Sequence, residues 1–192
     1  MCRDDVSYQK VMKRMISVQL ADTTDPEISA TVWQLVKMCD EEFVPPLRSR
    51  DSTIAGHLST SLTGSEEPVS YFDMLKSQHL LIARFSPSVV GFLSFRHDHV
   101  AAEWAGFPSN YITTICVHKD HRRKGVGAAL YRTILERLPD ALTSHYTTTR
   151  TWDGNEGHIQ LLRSMGFQLV RHVVNDRGGG IGSSYWVKGA VA

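Results

Sequence analysis

The segment from Ile112 to Leu138 constrains the fold more than any other part of the chain. Ile112 to Val117 is a β-branched run that reads as a strand. Val126, Leu130, Ile134 and Leu138 recur at every fourth position, so Gly125 to Leu138 reads as a helix with one buried stripe. Between strand and helix stands His118-Lys119-Asp120-His121-Arg122-Arg123-Lys124-Gly125-Val126-Gly127. The first turn of a helix carries N–H groups without intrahelical partners, and its dipole favours an anion. Gly125 and Gly127 leave the main chain open to close approach. Arg122, Arg123 and Lys124 add positive charge at the same end, which is unfavourable unless something negative sits there. A local rule broken in this way marks a candidate anion site. A solvated basic cluster on a glycine-containing loop is the competing reading. The segment lacks the Gly-Lys-Ser/Thr of a Walker loop and the GxGxxG of a dinucleotide fold.

The rest of the chain supplies the elements around this unit. Val11 to Leu20 reads as a first strand, after a loose tail over residues 1–10. Asp25-Pro26 starts a helix, since Asp caps free N–H groups and Pro suits the first helical position. Ile28, Val32, Leu35, Val36 and Cys39 continue it at helical spacing until Pro45-Pro46. Residues 54–62 are weakly helical, and Tyr71 to Lys76 predicts a short helix. Two apolar runs, Leu80 to Ala83 and Val89 to Leu93, flank Ser86-Pro87-Ser88 as a hairpin. Residues 97–110 read as a long polar and aromatic connection. His145 to Trp152 reads as a strand, and Asn155 to Met165 as a helix closed by Gly166. Phe167 to Val174 and Ser183 to Val187 are the last strands, joined through Gly178-Gly179-Gly180. The outline is a mixed α/β sheet with helices between strands, in one domain over residues 11–192.

Bulk properties narrow the partners. A formal net charge of +1 gives no global reason to expect nucleic acid. The longest apolar runs fall short of the ~20 residues a membrane helix needs. Cys2, Cys39 and Cys116 are widely spaced, without a CxxC pair. This argues against a disulfide framework or a cysteine zinc site and for reduced thiols in a cytoplasmic protein. No signal peptide is legible from Met1 to Lys10.

Arg122-Arg123-Lys124-Gly125-Val126-Gly127 resembles the Arg/Gln-x-x-Gly-x-Gly/Ala loop of the GNAT N-acetyltransferase superfamily. Ile115-Cys116-Val117-His118 looks like the end of that family's fourth strand. Asn155, eleven residues before Gly166-Phe167, resembles its second cofactor motif. The resemblance covers roughly residues 11 to 188 and implies an α+β fold. Its mixed, mostly antiparallel sheet would have six to seven strands, about four flanking helices, and fourth and fifth strands that splay apart. It implies acetyl-CoA as co-substrate and direct acetyl transfer to a primary amine in a ternary complex. The backbone of Ile115 and Val117, beside Cys116, would hold the pantetheine arm. The N–H groups from Arg123 through Lys124, Gly125, Val126 and Gly127 to Ala128 would hold the pyrophosphate. Arg122 and Arg123 would approach the 3′-phosphate, and Asn155 the pantetheine amide. A monomer or homodimer acting on a small-molecule or peptide amine follows from the same likeness. Many members carry a Tyr seven residues after the Asn; here Leu162 stands there and cannot donate a proton. Tyr131 and Tyr146 are available by residue type, with Tyr146 the candidate acid.

Transfer to an amine needs the nitrogen neutral, so a base or a desolvating pocket would help. Glu103, just before the fourth strand, is the candidate base, with a solvated loop carboxylate as the plainer alternative. His97 and His99 could share a strand face, but without a third ligand no metal is expected. His158 reads as an exposed helix residue, and Cys116 as a nucleophile or a buried strand thiol. On the acceptor side, Arg48 or Arg50 could meet a carboxylate and Glu41 or Glu42 an amine, each equally readable as surface charge. Trp104, Phe107 and Tyr111 read as an aromatic wall or as a lid on the core. A non-catalytic acyl-CoA sensor and an interaction module whose basic turn meets a protein or nucleic acid are the rival functions.

Overall fold

A computed structural model describes residues 16–50, 66–104 and 106–189. The expected helix at 54–62 and the start of the expected first strand lie outside these residues.

The sheet has seven strands: β1 (Ile16–Ala21), β2 (His79–Phe85), β3 (Ser88–His99), β4 (Ser109–Val117), β5 (Thr147–Trp152), β6 (Gln168–Val173) and β7 (Ser183–Lys188). Their spatial order is β1-β2-β3-β4-β5-β7-β6. Every pairing is antiparallel except β4 with β5. Among the described residues the α-helices are α1 (Pro26–Cys39), α2 (Val69–Lys76), α3 (Val126–Glu136) and α4 (Glu156–Ser164). Strand content and helix number agree with the expected α+β architecture.

The helices begin where the sequence chemistry puts them. Asp25 accepts from the N–H of Glu27 at 2.9 Å and caps α1, with Pro26 in its first turn. Asn155 caps α4 by accepting from the N–H of His158. The two faces of the sheet carry separate cores. Leu81, Leu93, Phe95 and Ile112 pack against Leu130 and Ile134 of α3 and Leu162 of α4. Leu80, Ile82, Phe92 and Cys116 pack against α1 and α2 through residues such as Val32, Val36 and Leu75.

Two elements differ from the sequence expectation. β3 runs on to His99 and β4 begins at Ser109, so the long connection shrinks to residues 100–108. Polar residues at the end of β3 are accommodated because His99 pairs with Ser109 in the ladder and stacks on Tyr111. The supposed wall is then mostly core: Trp104 and Tyr111 are each 2% exposed and pack with Tyr185. The second difference is a bulge. Ser94 pairs with Thr114 but Phe95 pairs with Ile112, so Thr113 is an extra residue in β4. A bulge reverses which face the following side chains take. It puts Tyr111 on the same face as Thr114 and Cys116, toward α1 and α2 rather than α3.

Candidate active site

β4 and β5 pair only at Asn110–Thr147, Tyr111–Thr148 and Ile112–Thr149. Beyond these residues the parallel strands part, and the sheet opens into a cavity of about 650 Å³. Its walls are Thr113 to Val117 on one side and Thr149 to Trp152 on the other.

The main chain of β4 is oriented for this gap. The His118 N–H donates to the Val90 carbonyl at 2.8 Å. Antiparallel strands alternate between hydrogen-bonded and non-hydrogen-bonded pairs. Cys116 opposite Phe92 is therefore bonded to β3, whereas Val117 opposite Gly91 and Ile115 opposite Leu93 are not. The N–H groups of Ile115 and Val117 consequently face the opening. The Val117 carbonyl points the same way and accepts from Arg122 Nε at 3.0 Å.

The gap ends at the N-terminus of α3. Gly125 occupies the N-cap position with φ +89°, and Arg123 has φ +58°. These left-handed residues turn the chain sharply, and Gly125 adopts its φ without the penalty that a side chain brings. Arg123, Gly125, Val126, Gly127 and Ala128 all line the cavity; Lys124 does not. Gly127 serves a different purpose. A Cβ there would lie 3.1 Å from Leu161 Cδ2, so its absence lets α3 and α4 approach. Asn155 lines the same end.

The basic side chains divide. Arg122 Nη2 donates to both carboxylate oxygens of Glu42, at 2.9 and 2.7 Å, and so ties the turn to the end of α1. Its guanidinium is engaged by protein rather than directed at the turn. Arg48 is likewise neutralised by Asp40 and Glu41. Arg50 instead lines the cavity and is 8% exposed.

Several candidates stand elsewhere. Glu103 sits in a short turn at Ala102–Trp104, and Tyr146 stacks on Phe107 with ring centroids 4.0 Å apart. Neither is among the residues lining the cavity. The shortened β3–β4 connection carries Glu103 to the outer end of the sheet, and Tyr146 precedes the paired stretch of β5. His97 and His99 do not converge: His97 Nδ1 meets Asn110 Oδ1 at 2.8 Å, while His99 stacks on Tyr111. A bulge around Asp98, at φ +51°, breaks their expected alternation. Among the described residues no group of three or more His, Cys, Asp or Glu is placed to hold a metal. Cys116 lines the cavity, but burial pushes its thiol pKa well up and keeps it a thiol.

The sequence reading missed two features. Arg150 and Arg177 line the cavity with Arg50. His158, expected to be exposed, also lines it, and its Nε2 lies 2.6 Å from the Tyr131 hydroxyl. Burial lowers the His158 pKa to about 4 and raises that of Tyr131. Leu162, where the family's Tyr would stand, is fully buried in the core.

The acetyltransferase (GNAT) family model matches residues 54–167, and the chain belongs to this family. Among curated proteins no sequence matches. Solved structures share the fold at low identity. One is yncA, a candidate acetyltransferase from Salmonella typhimurium solved with its cofactor acetyl-CoA. It is 14% identical with a TM-score of 0.64, over 91% of this chain and 94% of that one. An N-acetyltransferase from Staphylococcus aureus Mu50 is 14% identical with a TM-score of 0.62, over 91% and 98%. A ribosomal-protein-alanine N-acetyltransferase from Brucella melitensis is 17% identical with a TM-score of 0.61, over 90% and 99%. Among the described residues no helix is long and apolar enough to cross a membrane.

Proposed function

We propose that this protein is an acetyl-CoA-dependent N-acetyltransferase that joins donor and acceptor across the opening between β4 and β5. The observation that carries this reading is the continuity of that opening with the glycine turn before α3. The residues fit such a donor. The free N–H groups of the turn and the first helical residues suit a pyrophosphate. The outward N–H groups of Ile115 and Val117 suit an extended amide-bearing arm, as an added strand would. Arg123 stands at the phosphate end, while Arg122 holds the turn against Glu42.

When bound, acetyl-CoA supplies an acyl carbon activated as a thioester. The chain contributes position and electrostatics. Holding the amine beside that carbon removes much of the entropic barrier. The Val117 N–H is the donor we assign to the carbonyl oxygen as it gains charge. The acceptor nitrogen bonds to the acyl carbon, the C–S bond breaks, and the nitrogen's proton passes through solvent to the departing thiolate. Glu103 and Tyr146 lie off the cavity, so neither is given that proton. A cytoplasmic protein acting as monomer or homodimer, without metal or nucleic acid, fits the same reading.

Thiol release from acetyl-CoA over a panel of amines tests this function. Turnover with an acetylated amine product is the expected result. Saturable acetyl-CoA binding without release on any amine would favour the acyl-CoA sensor, a reading that the buried Leu162 supports. No binding at all would favour an interaction module.

A further inference from the structure

The half of the cavity facing α1 is strongly cationic, and its cations come from three distant parts of the chain. Arg50 follows the turn after α1, Arg150 lies in β5, and Arg177 precedes β7. Arg50 Nη2 and Arg177 Nη1 both donate to the Val44 carbonyl oxygen, so one atom holds the two guanidiniums side by side. Arg50 Nε is fixed on the Pro45 carbonyl at 2.9 Å, and Arg177 Nε on Ser183 Oγ at 2.9 Å. Aromatic faces set their planes. Arg50 lies over Phe43 at 5.2 Å, Arg177 over Trp152 at 5.6 Å and Arg150 over Tyr185 at 5.8 Å.

Among the described residues the counter-charge is small. Among the described residues lining the cavity the one carboxylate is Glu42, and Arg122 occupies it. Asp176 Oδ2 lies 3.9 Å from Arg150 and accepts no hydrogen bond. The side chain of Arg150 is only 5% exposed. Burying cations with so little compensation is costly in the fold itself. Burial, then the charges of Arg150 and Arg50, push the Arg177 pKa down. A guanidinium nonetheless keeps its proton near neutral pH, so the positive field persists. Phe43 and Trp152, with ring centroids 5.7 Å apart, flank the same region.

We propose that Arg50, Arg150 and Arg177 form an anion subsite for the acceptor, whose acetylated amine belongs to a molecule that also carries a carboxylate or a phosphorus oxyacid. Planar guanidiniums fit such groups bidentately. The substrate class is therefore amino acids and their close analogues rather than polyamines, whose second cation this cavity would repel. The subsite lies on the α1 face of the sheet, across the opening from the α3 turn. The inference rests on the acetyltransferase reading for its amine and its chemistry, but the anion subsite can be tested without turnover.

The test uses the full chain in two arms. In the first, thiol release from acetyl-CoA is measured with common 2-amino acids, their carboxamides and the matching 1-aminoalkylphosphonates. In the second, the same compounds are titrated calorimetrically into protein held with excess CoA. For at least one side chain, the acid should exceed its carboxamide by ~100-fold or more in kcat/KM and in affinity. The carboxylate and phosphonate series identify which oxyacid the subsite takes. Arg177→Gln should raise KM for the acid by ~30-fold with acetyl-CoA affinity unchanged, while Arg177→Lys keeps the charge and loses less. Equal use of acid and carboxamide, or a preference for polyamines, would overturn the subsite and leave the transferase standing. Absence of binding by every acid would also overturn it. Acid binding that depends on Arg177, with no acetyl-CoA binding, would support the subsite and reject the transferase.

Discussion

The two ends of the cavity are built on opposite plans. The end we assign to the donor is main chain: N–H groups of a glycine turn, the first turn of α3 and the free edge of β4. The guanidinium of Arg122, at the start of the turn, is committed to Glu42. The end we assign to the acceptor is side chain: Arg50 and Arg177 are braced by backbone carbonyls and aromatic rings, and Arg150 lies over Tyr185. Backbone recognition depends on chain path and tolerates many side chains, so it suits a constant cofactor. Side-chain recognition changes with single substitutions, so it suits an acceptor that differs between relatives.

Substitutions can break that division. The largest effect is expected at Gly125, whose φ of +89° suits glycine and whose Cβ would meet nothing within 4 Å. Gly125→Asp adds strain and a carboxylate at the anion site. Acetyl-CoA affinity should fall by ~100-fold or more, about 3 kcal/mol. The measurement is the Tm shift caused by acetyl-CoA, and an unchanged shift would remove the turn from the donor site. Arg177→Gln comes next, with its ~30-fold rise in acceptor KM and constant donor affinity. A parallel loss of donor affinity would mean that the two ends are not separate.

His158 gives a pH signature. Its folded pKa of about 4 lies below the ordinary value of 6.5. Above pH 6.5 the group is neutral in both states and has no effect. As pH falls from 6.5 toward 4, the unfolded chain takes up the proton first, so stability declines and then levels off. His158→Gln should remove about 1–3 kcal/mol of that acid loss, read by denaturant unfolding at pH 7 and pH 4.5. Identical acid sensitivity of the two proteins would contradict burial of this imidazole beside Tyr131. The smallest effect belongs to Arg122→Gln. Its ion pair with Glu42 has side chains 38% and 47% exposed, so stability should drop by at most about 1 kcal/mol. Acetyl-CoA affinity should change only about threefold or less. A loss comparable with that of Gly125→Asp would mean that the guanidinium, and not the main chain, holds the donor.

The same division explains what could be read in the sequence. The donor end is contiguous: a strand, a basic glycine turn and a helix follow one another within residues 112–138, and Asn155 repeats the logic as a cap. Helix starts were legible for the same reason, since Asp25-Pro26 acts on its own neighbours. The acceptor end was legible in part, at Arg50 as one of two arginines with a possible carboxylate partner, and at Glu42 and Tyr111, which also line the cavity. Arg150 and Arg177 carry no local signature, because what brings them together is the gap between strands, with Arg177 on the Val44 carbonyl and Arg150 against Tyr185. The pairing of Tyr131 with His158 is equally non-local. Glu103 was placed near the acceptor because residues 97–110 read as one loop. Ladder pairing between His99 and Ser109 overrode their polar composition, and the Thr113 bulge set the face of the sheet that Tyr111 takes.

In our proposal the turn before α3 holds the pyrophosphate of acetyl-CoA. This placement is tested most directly by calorimetric titration of the wild-type chain with acetyl-CoA and with S-acetylpantetheine, which lacks the pyrophosphate. Acetyl-CoA should fill one saturable site, and the truncated thioester should bind at least ~100-fold more weakly. Equal affinity for the two compounds, or no binding of acetyl-CoA, would contradict it.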